Sequence, residues 1–176
     1  MPSLTEVLAP WHDFYTLLGA ASATMVGLLF VAATVASGVF STSRRGPLRI
    51  FLSASVLQFV GVLVVCLLAL APLRQWAVFG GLVIAGGGVG VVYSCLCWRD
   101  VVRDGIVSRI DWEDRTWYAA LPPLCYLGEA GAGIALLLHA PVGCDVLAGA
   151  AGVAMIVAIH NAWDITVWTV MRPRRD

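Results

Sequence analysis

Glu129, His160 and Asp164 are ionisable residues set inside long apolar runs. Such groups are expensive to place in hydrocarbon, so each demands a partner or a task. His160-Asn161-Ala162-Trp163-Asp164 puts an imidazole and a carboxylate one helical turn apart, with Asn161 on the neighbouring edge. Gln58 adds an amide to a separate apolar run. A set of this kind can take up protons or coordinate a small cation. The structural alternative is that Glu129 pairs with His160, or is hydrogen-bonded as a neutral acid, and simply locks two helices together.

Other chemistry has little support. The five cysteines, Cys66, Cys95, Cys97, Cys125 and Cys144, are odd in number and imply no disulfide framework. Cys95-x-Cys97 has no second pair to complete a metal site. His12 and His139 are weak metal or haem candidates, because two histidines without ligand spacing sit where solvated histidines are ordinary. No nucleotide loop, zinc-protease motif or nucleophile elbow is present. Neither an enzyme nor a resident cofactor is therefore expected, and a haem or redox subunit is the trailing alternative.

The elements that position these residues follow from composition. A chain of 176 residues that is 60% hydrophobic and 12% charged does not have the balance of a soluble fold. A helix needs about 20 apolar residues to cross a bilayer core. Five segments qualify, at approximately 14–40, 50–71, 76–97, 117–138 and 146–171. The fold class expected is an all-α integral membrane bundle in a single transmembrane domain, 1–176, with the lipid bilayer as its first partner.

All eleven basic residues are arginine, and ten of them fall on one side if the N-terminus is outside. These are Arg44, Arg45 and Arg49, then Arg99, Arg103, Arg109 and Arg115, then Arg172, Arg174 and Arg175. Only Arg74 is on the other side, so the positive-inside rule gives an outer N-terminus and a cytoplasmic C-terminus. The first apolar run lacks the basic segment of a signal peptide and reads as a span. No basic face is available for nucleic acid.

Between the third and fourth spans, residues 98–115 read as an amphipathic helix along the inner surface. Ser3-Leu-Thr-Glu6 has the form of a capping box for a brief outer helix ending near Pro10. Pro122-Pro123 should kink the fourth span and free carbonyls near Tyr118 and Ala119.

Small residues four apart mark packing faces in lipid. They include Gly19, Ala23 and Gly27, Gly81 with Ala85, Gly86 with Gly90, and Gly128 with Ala132. Their first reading is packing within the five-helix bundle; there are more such faces than five helices need, so a homo-oligomer or a larger membrane complex is expected beside it.

Counted from the inner end of each span at ~1.5 Å per residue, Asp164 lies at ~10 Å, Gln58 at ~12 Å, His160 at ~16 Å and Glu129 at ~18 Å. The expectation is a polar vestibule open to the cytoplasm, in a channel or transporter for protons or small ions. A non-catalytic assembly subunit is the rival. Trp11-His-Asp-Phe-Tyr15, Ala20-Ala-Ser-Ala-Thr24, Gly27-Leu-Leu-Phe-Val31 and Asn161-Ala-Trp-Asp164 together resemble small uncharacterised multi-spanning proteins of the bacterial inner membrane. That resemblance implies a location and no activity.

Overall fold

The computed structural model describes residues 2–39, 45–103, 112 and 115–171, and these form helices joined by turns, with no strand among them. Most of the expected inner-surface helix, including Ile106, Arg109 and Ile110, lies outside the described residues, as do Arg44 and the C-terminal arginines.

The chain opens with the capping box. The Ser3 amide donates to Glu6 Oε2 at 2.7 Å, and the Glu6 amide to Ser3 Oγ at 3.3 Å. This starts a short helix α1, Leu4–Leu8, which passes through a 3-10 turn, Ala9–Trp11, containing Pro10. Five long helices follow: α2, His12–Val39; α3, Arg45–Leu70; α4, Trp76–Arg103; α5, Leu121–Leu137; and α6, Val142–Met171. Among the described residues, four stretches are long and apolar enough to cross a membrane: Leu4–Ala32, Trp76–Arg99, Arg115–Leu137 and Val142–Asp164. The apolar stretch within α3 is the shorter Ser55–Leu70. Large apolar side chains such as Leu17, Phe30, Val89, Ile156 and Trp163 are more than half exposed around the bundle. Faces of that kind are compatible with a lipid surround.

The helices pack as neighbours in the order α2 on α3, α3 on α6, α6 on α5 and α5 on α4. The α4–α5 seam brings backbone against backbone. A Cβ on Gly80 would lie 2.8 Å from the Gly133 carbonyl oxygen, and one on Gly87 would lie 2.7 Å from that of Tyr126. Glycine is required there because any side chain would force the helices apart. Gly90 takes the ring of Tyr126 in the same seam.

Of the other small residues, Gly19 faces Cys66, Gly128 faces Ala150 and Ala132 is fully buried. Ala23 is exposed, and no side chain or neighbouring helix comes within 4 Å of where a Cβ would stand on Gly27, Gly81 or Gly86. The seam therefore runs along Gly80 and Gly87, one position away from Gly81 and Gly86. Spacing by four marks a face but not which face meets a neighbour, and α4 has glycine on several sides.

At one end of the bundle, Leu4 and Leu8 of α1 are buried with Tyr15, and Trp11, Leu73 and Trp76 pack against that core. The α5–α6 turn lies at this end too. Its amides at Ala140 and His139 bond back to the carbonyls of Ala135 and Leu136 at 2.9 and 3.0 Å. This is a Schellman closure, with His139 in the left-handed region at φ 57°. The opposite end is formed by Trp117, Tyr118 and the second half of α6.

Candidate functional site

Two polar groups occupy the bundle, and they lie at different levels. The first is central. Glu129 projects from the α5 face that also carries Cys125, Ala132 and Leu136, all buried. Its carboxyl is within electrostatic reach of Tyr15, Cys125 and Tyr126. Glu129 is 3% exposed, Gln58 5% and Tyr15 1%. In each, one polar atom has no hydrogen-bond partner among the described residues: Glu129 Oε1, Gln58 Nε2 and the Tyr15 hydroxyl. Buried polar atoms without partners carry a cost of about 1–3 kcal/mol each, so these three call for an explanation. Ser22 shows the ordinary solution, its hydroxyl donating to the Phe59 carbonyl at 2.6 Å.

The second group is at the Trp117 end. Before the two prolines the chain winds as a π-helix, Arg115–Ala120, and α5 then begins with Pro122 in its first turn. In the wider i to i+5 register the carbonyl of Trp117 faces the nitrogen of Pro122, which has no hydrogen to give. Asn161 supplies the missing donor, its Nδ2 reaching the Trp117 carbonyl at 3.2 Å. The Tyr118 hydroxyl reaches the carbonyl of Asn161 and Oδ2 of Asp164, both at 3.0 Å. His160 stacks on Trp117 with ring centroids 3.8 Å apart and planes inclined by 10°. Its Nδ1 and the Asn161 Oδ1 lack partners among the described residues.

The structure thus brings His160, Asn161 and Asp164 together with Trp117 and Tyr118, and separates all of them from Glu129. Trp117 and Glu129 are twelve residues apart, or ~18 Å along the helix. Glu129 and His160 do not pair. Counting depth from each helix's own end had put them level, but α6 continues past Asn161 to Met171, some ~15 Å, whereas α5 and its π-turn start near Trp117. Gln58 is buried on α3, with no hydrogen bond to Glu129 or to the Asn161 group. His12 lies against Asp13, with Nδ1 and Oδ1 3.1 Å apart, and His139 against Trp76, so each has a local role. Among the described residues no three His, Cys, Asp or Glu side chains form a metal-holding group.

No family model, curated protein or solved structure matches this chain. The arrangement must be read on its own chemistry. The sequence pattern gives no role to Trp117, Tyr15 or Ser22, although Tyr15, Gly19 and Ser22 recur at helical spacing on one face of α2.

Proposed function

We propose that this chain crosses the bacterial inner membrane five times, N-terminus outside, and works as an oligomeric channel or transporter for protons or small ions. The observation that carries the reading is the Glu129 carboxyl, buried at the centre of an apolar bundle with one oxygen lacking a donor. A carboxyl in that setting costs stability, and a protein that uses it to bind what it moves has a reason to keep it. The arginine distribution supports the orientation. The apolar cap at the α1 end and the polar Trp117 end are consistent with access from the cytoplasm.

The test of function is ion flux through reconstituted vesicles. Glu129→Gln keeps size and hydrogen bonding but loses the charge, so it should abolish flux while leaving expression and oligomeric state unchanged. Vesicles with wild-type protein that pass no ion across a range of pH and voltage would sink the reading. For orientation, cysteine labelling in intact cells should reach residues near Arg74 and Val142 from outside, and should not reach the 99–115 segment.

A second reading, an assembly subunit of a larger membrane complex, draws on the outward side of α4. Gly81, Gly86 and Gly88 are exposed, with nothing within 4 Å of a would-be Cβ. Open glycines in lipid suit close approach by another helix. Gly86→Leu should then leave the isolated chain folded but remove a co-purifying subunit.

A further inference from the structure

Tyr126 stands a turn before Glu129 on α5, and its setting bears on how the carboxyl is reached, on the reading of Glu129 just given. We propose that Tyr126 is a gate: its ring closes the opening between α3 and α4 on the Trp117 side of Glu129, and its swing admits water and ions to the carboxyl.

The packing order leaves that opening. α4 packs on α5, α5 on α6 and α6 on α3, whereas α3 and α4 meet only sparsely. Four helices joined in that order surround a centre with one unsealed side. On α5, Gly133 and Leu137 stand against Gly80 of α4, while Gly128 stands against Ala150 and Leu136 against Gly143 of α6. At ~3.6 residues per turn Glu129 falls between these two faces, so it points towards the centre.

The Tyr126 ring bridges the open side. On one wall is Gly61 of α3, where a Cβ would lie 3.7 Å from Tyr126 Cε1 and 3.9 Å from its hydroxyl oxygen. On the other is Gly90 of α4, where a Cβ would overlap the ring. Tyr126 precedes Glu129 by three residues, or ~4.5 Å along the axis. Helical side chains lean towards the helix N-terminus, which on α5 is the Trp117 end. The ring therefore stands between that end and the carboxyl, and with the ring in place Glu129 is buried.

Two features suit a moving part better than a fixed wedge. Both walls are glycine, so the ring lies on bare backbone and those two positions put no side chain in the way of a second rotamer. The helix that carries it is also weakly rooted. Pro122 and Pro123 take two backbone donors from its first turn, and the π-helix Arg115–Ala120 precedes them, so the backbone can bend one turn from Tyr126. An opening is needed as well, because a buried carboxyl with an unpartnered oxygen exchanges nothing while it stays sealed.

Glu129→Cys, in the full chain in lipid nanodiscs, is the reporter. A small charged methanethiosulfonate modifies it, and peptide mass spectrometry distinguishes it from the five native cysteines. Adding Tyr126→Ala should speed modification at least tenfold and Tyr126→Leu several-fold, whereas Tyr126→Phe should keep the parent rate. Leu136→Ala empties buried space on the far side of Glu129 and should leave the rate unchanged. Size-exclusion profile and circular dichroism check folding, and the leucine variant decides if the alanine variant does not fold. With Glu129 intact, Tyr126→Ala in vesicles should raise ion flux several-fold. Modification at the parent rate in a folded Tyr126 truncation, equal acceleration by Leu136→Ala, or measurable wild-type flux left unchanged by Tyr126→Ala overturns the gate and leaves the transport reading in place. Acceleration confined to Tyr126, with no ion flux in any variant, sinks the transport reading and leaves Tyr126 as the barrier in front of Glu129.

Discussion

At the α1 end of the bundle, Leu4 and Leu8 pack against Tyr15, with Leu73 and Trp76 laid over them, and the α5–α6 turn closes beside Trp76 through His139. At the other end the contacts between the Arg115–Ala120 π-helix and α6 are hydrogen bonds and a ring stack: Asn161 on the Trp117 carbonyl, Tyr118 on Asp164, and His160 flat on Trp117. The apolar end is held chiefly by burial, with hydrogen bonds confined to the capping box and the α5–α6 turn. At the polar end the prolines remove backbone donors, and Asn161 supplies one to the Trp117 carbonyl.

The largest expected effect is at the sealed end. Leu4 is fully buried, so Leu4→Asp loses its apolar contacts and places a charge where no partner is at hand. A loss of about 3 kcal/mol is expected for the α1 contact, the order found for losing a buried leucine side chain. Limited proteolysis of the N-terminal segment should become rapid while α4 and α5 stay protected. Slow cleavage, unchanged from wild type, would mean that α1 contributes little and that the end is sealed by Trp11 and Trp76 alone.

At the polar end the effect should be smaller and conditional. Asn161→Ala leaves the Trp117 carbonyl without a donor, a cost of about 1–3 kcal/mol. Pro122→Ala returns a backbone N–H and lets the π-turn relax toward α-helix, so Asn161→Ala should cost less in that background. A double-mutant cycle on thermal stability in detergent reads the difference as a coupling energy. Strict additivity would show that Asn161 acts through some contact other than the one across the proline break.

Different parts of this comparison were legible in the sequence to different degrees. The all-helical class, the Ser3–Glu6 capping box and the clustering around His160, Asn161 and Asp164 follow from periodicity and short-range spacing, which helical geometry fixes. Which helix meets which, and at what height, does not. Depth counted from each helix's own end puts Glu129 and His160 level, and nothing local says that α6 overruns the start of α5. In the same way, Gly86 and Gly87 are neighbours of one residue type, yet only Gly87 meets a facing backbone. The prolines announced freed carbonyls; that a side chain on α6 would answer one of them is a tertiary fact.

The smallest effect, and the one that tests the α1 end most finely, concerns His139. Its φ of 57° is the left-handed region, where a residue with a Cβ costs roughly 1–2 kcal/mol and glycine does not. The histidine recovers part of that through its ring, whose centroid lies 5.6 Å from that of Trp76. His139→Gly removes the strain and the ring contact together, so stability should be unchanged or raised by at most about 1 kcal/mol. His139→Ala keeps the strain and loses the contact, and should fall below wild type. The expected order in thermal melts is therefore glycine at or above histidine, with alanine last. If alanine equals histidine, the ring contributes nothing and Trp76 is held by α1 alone; if glycine falls clearly below histidine, the Trp76 contact outweighs the strain and the turn is a working part of the seal.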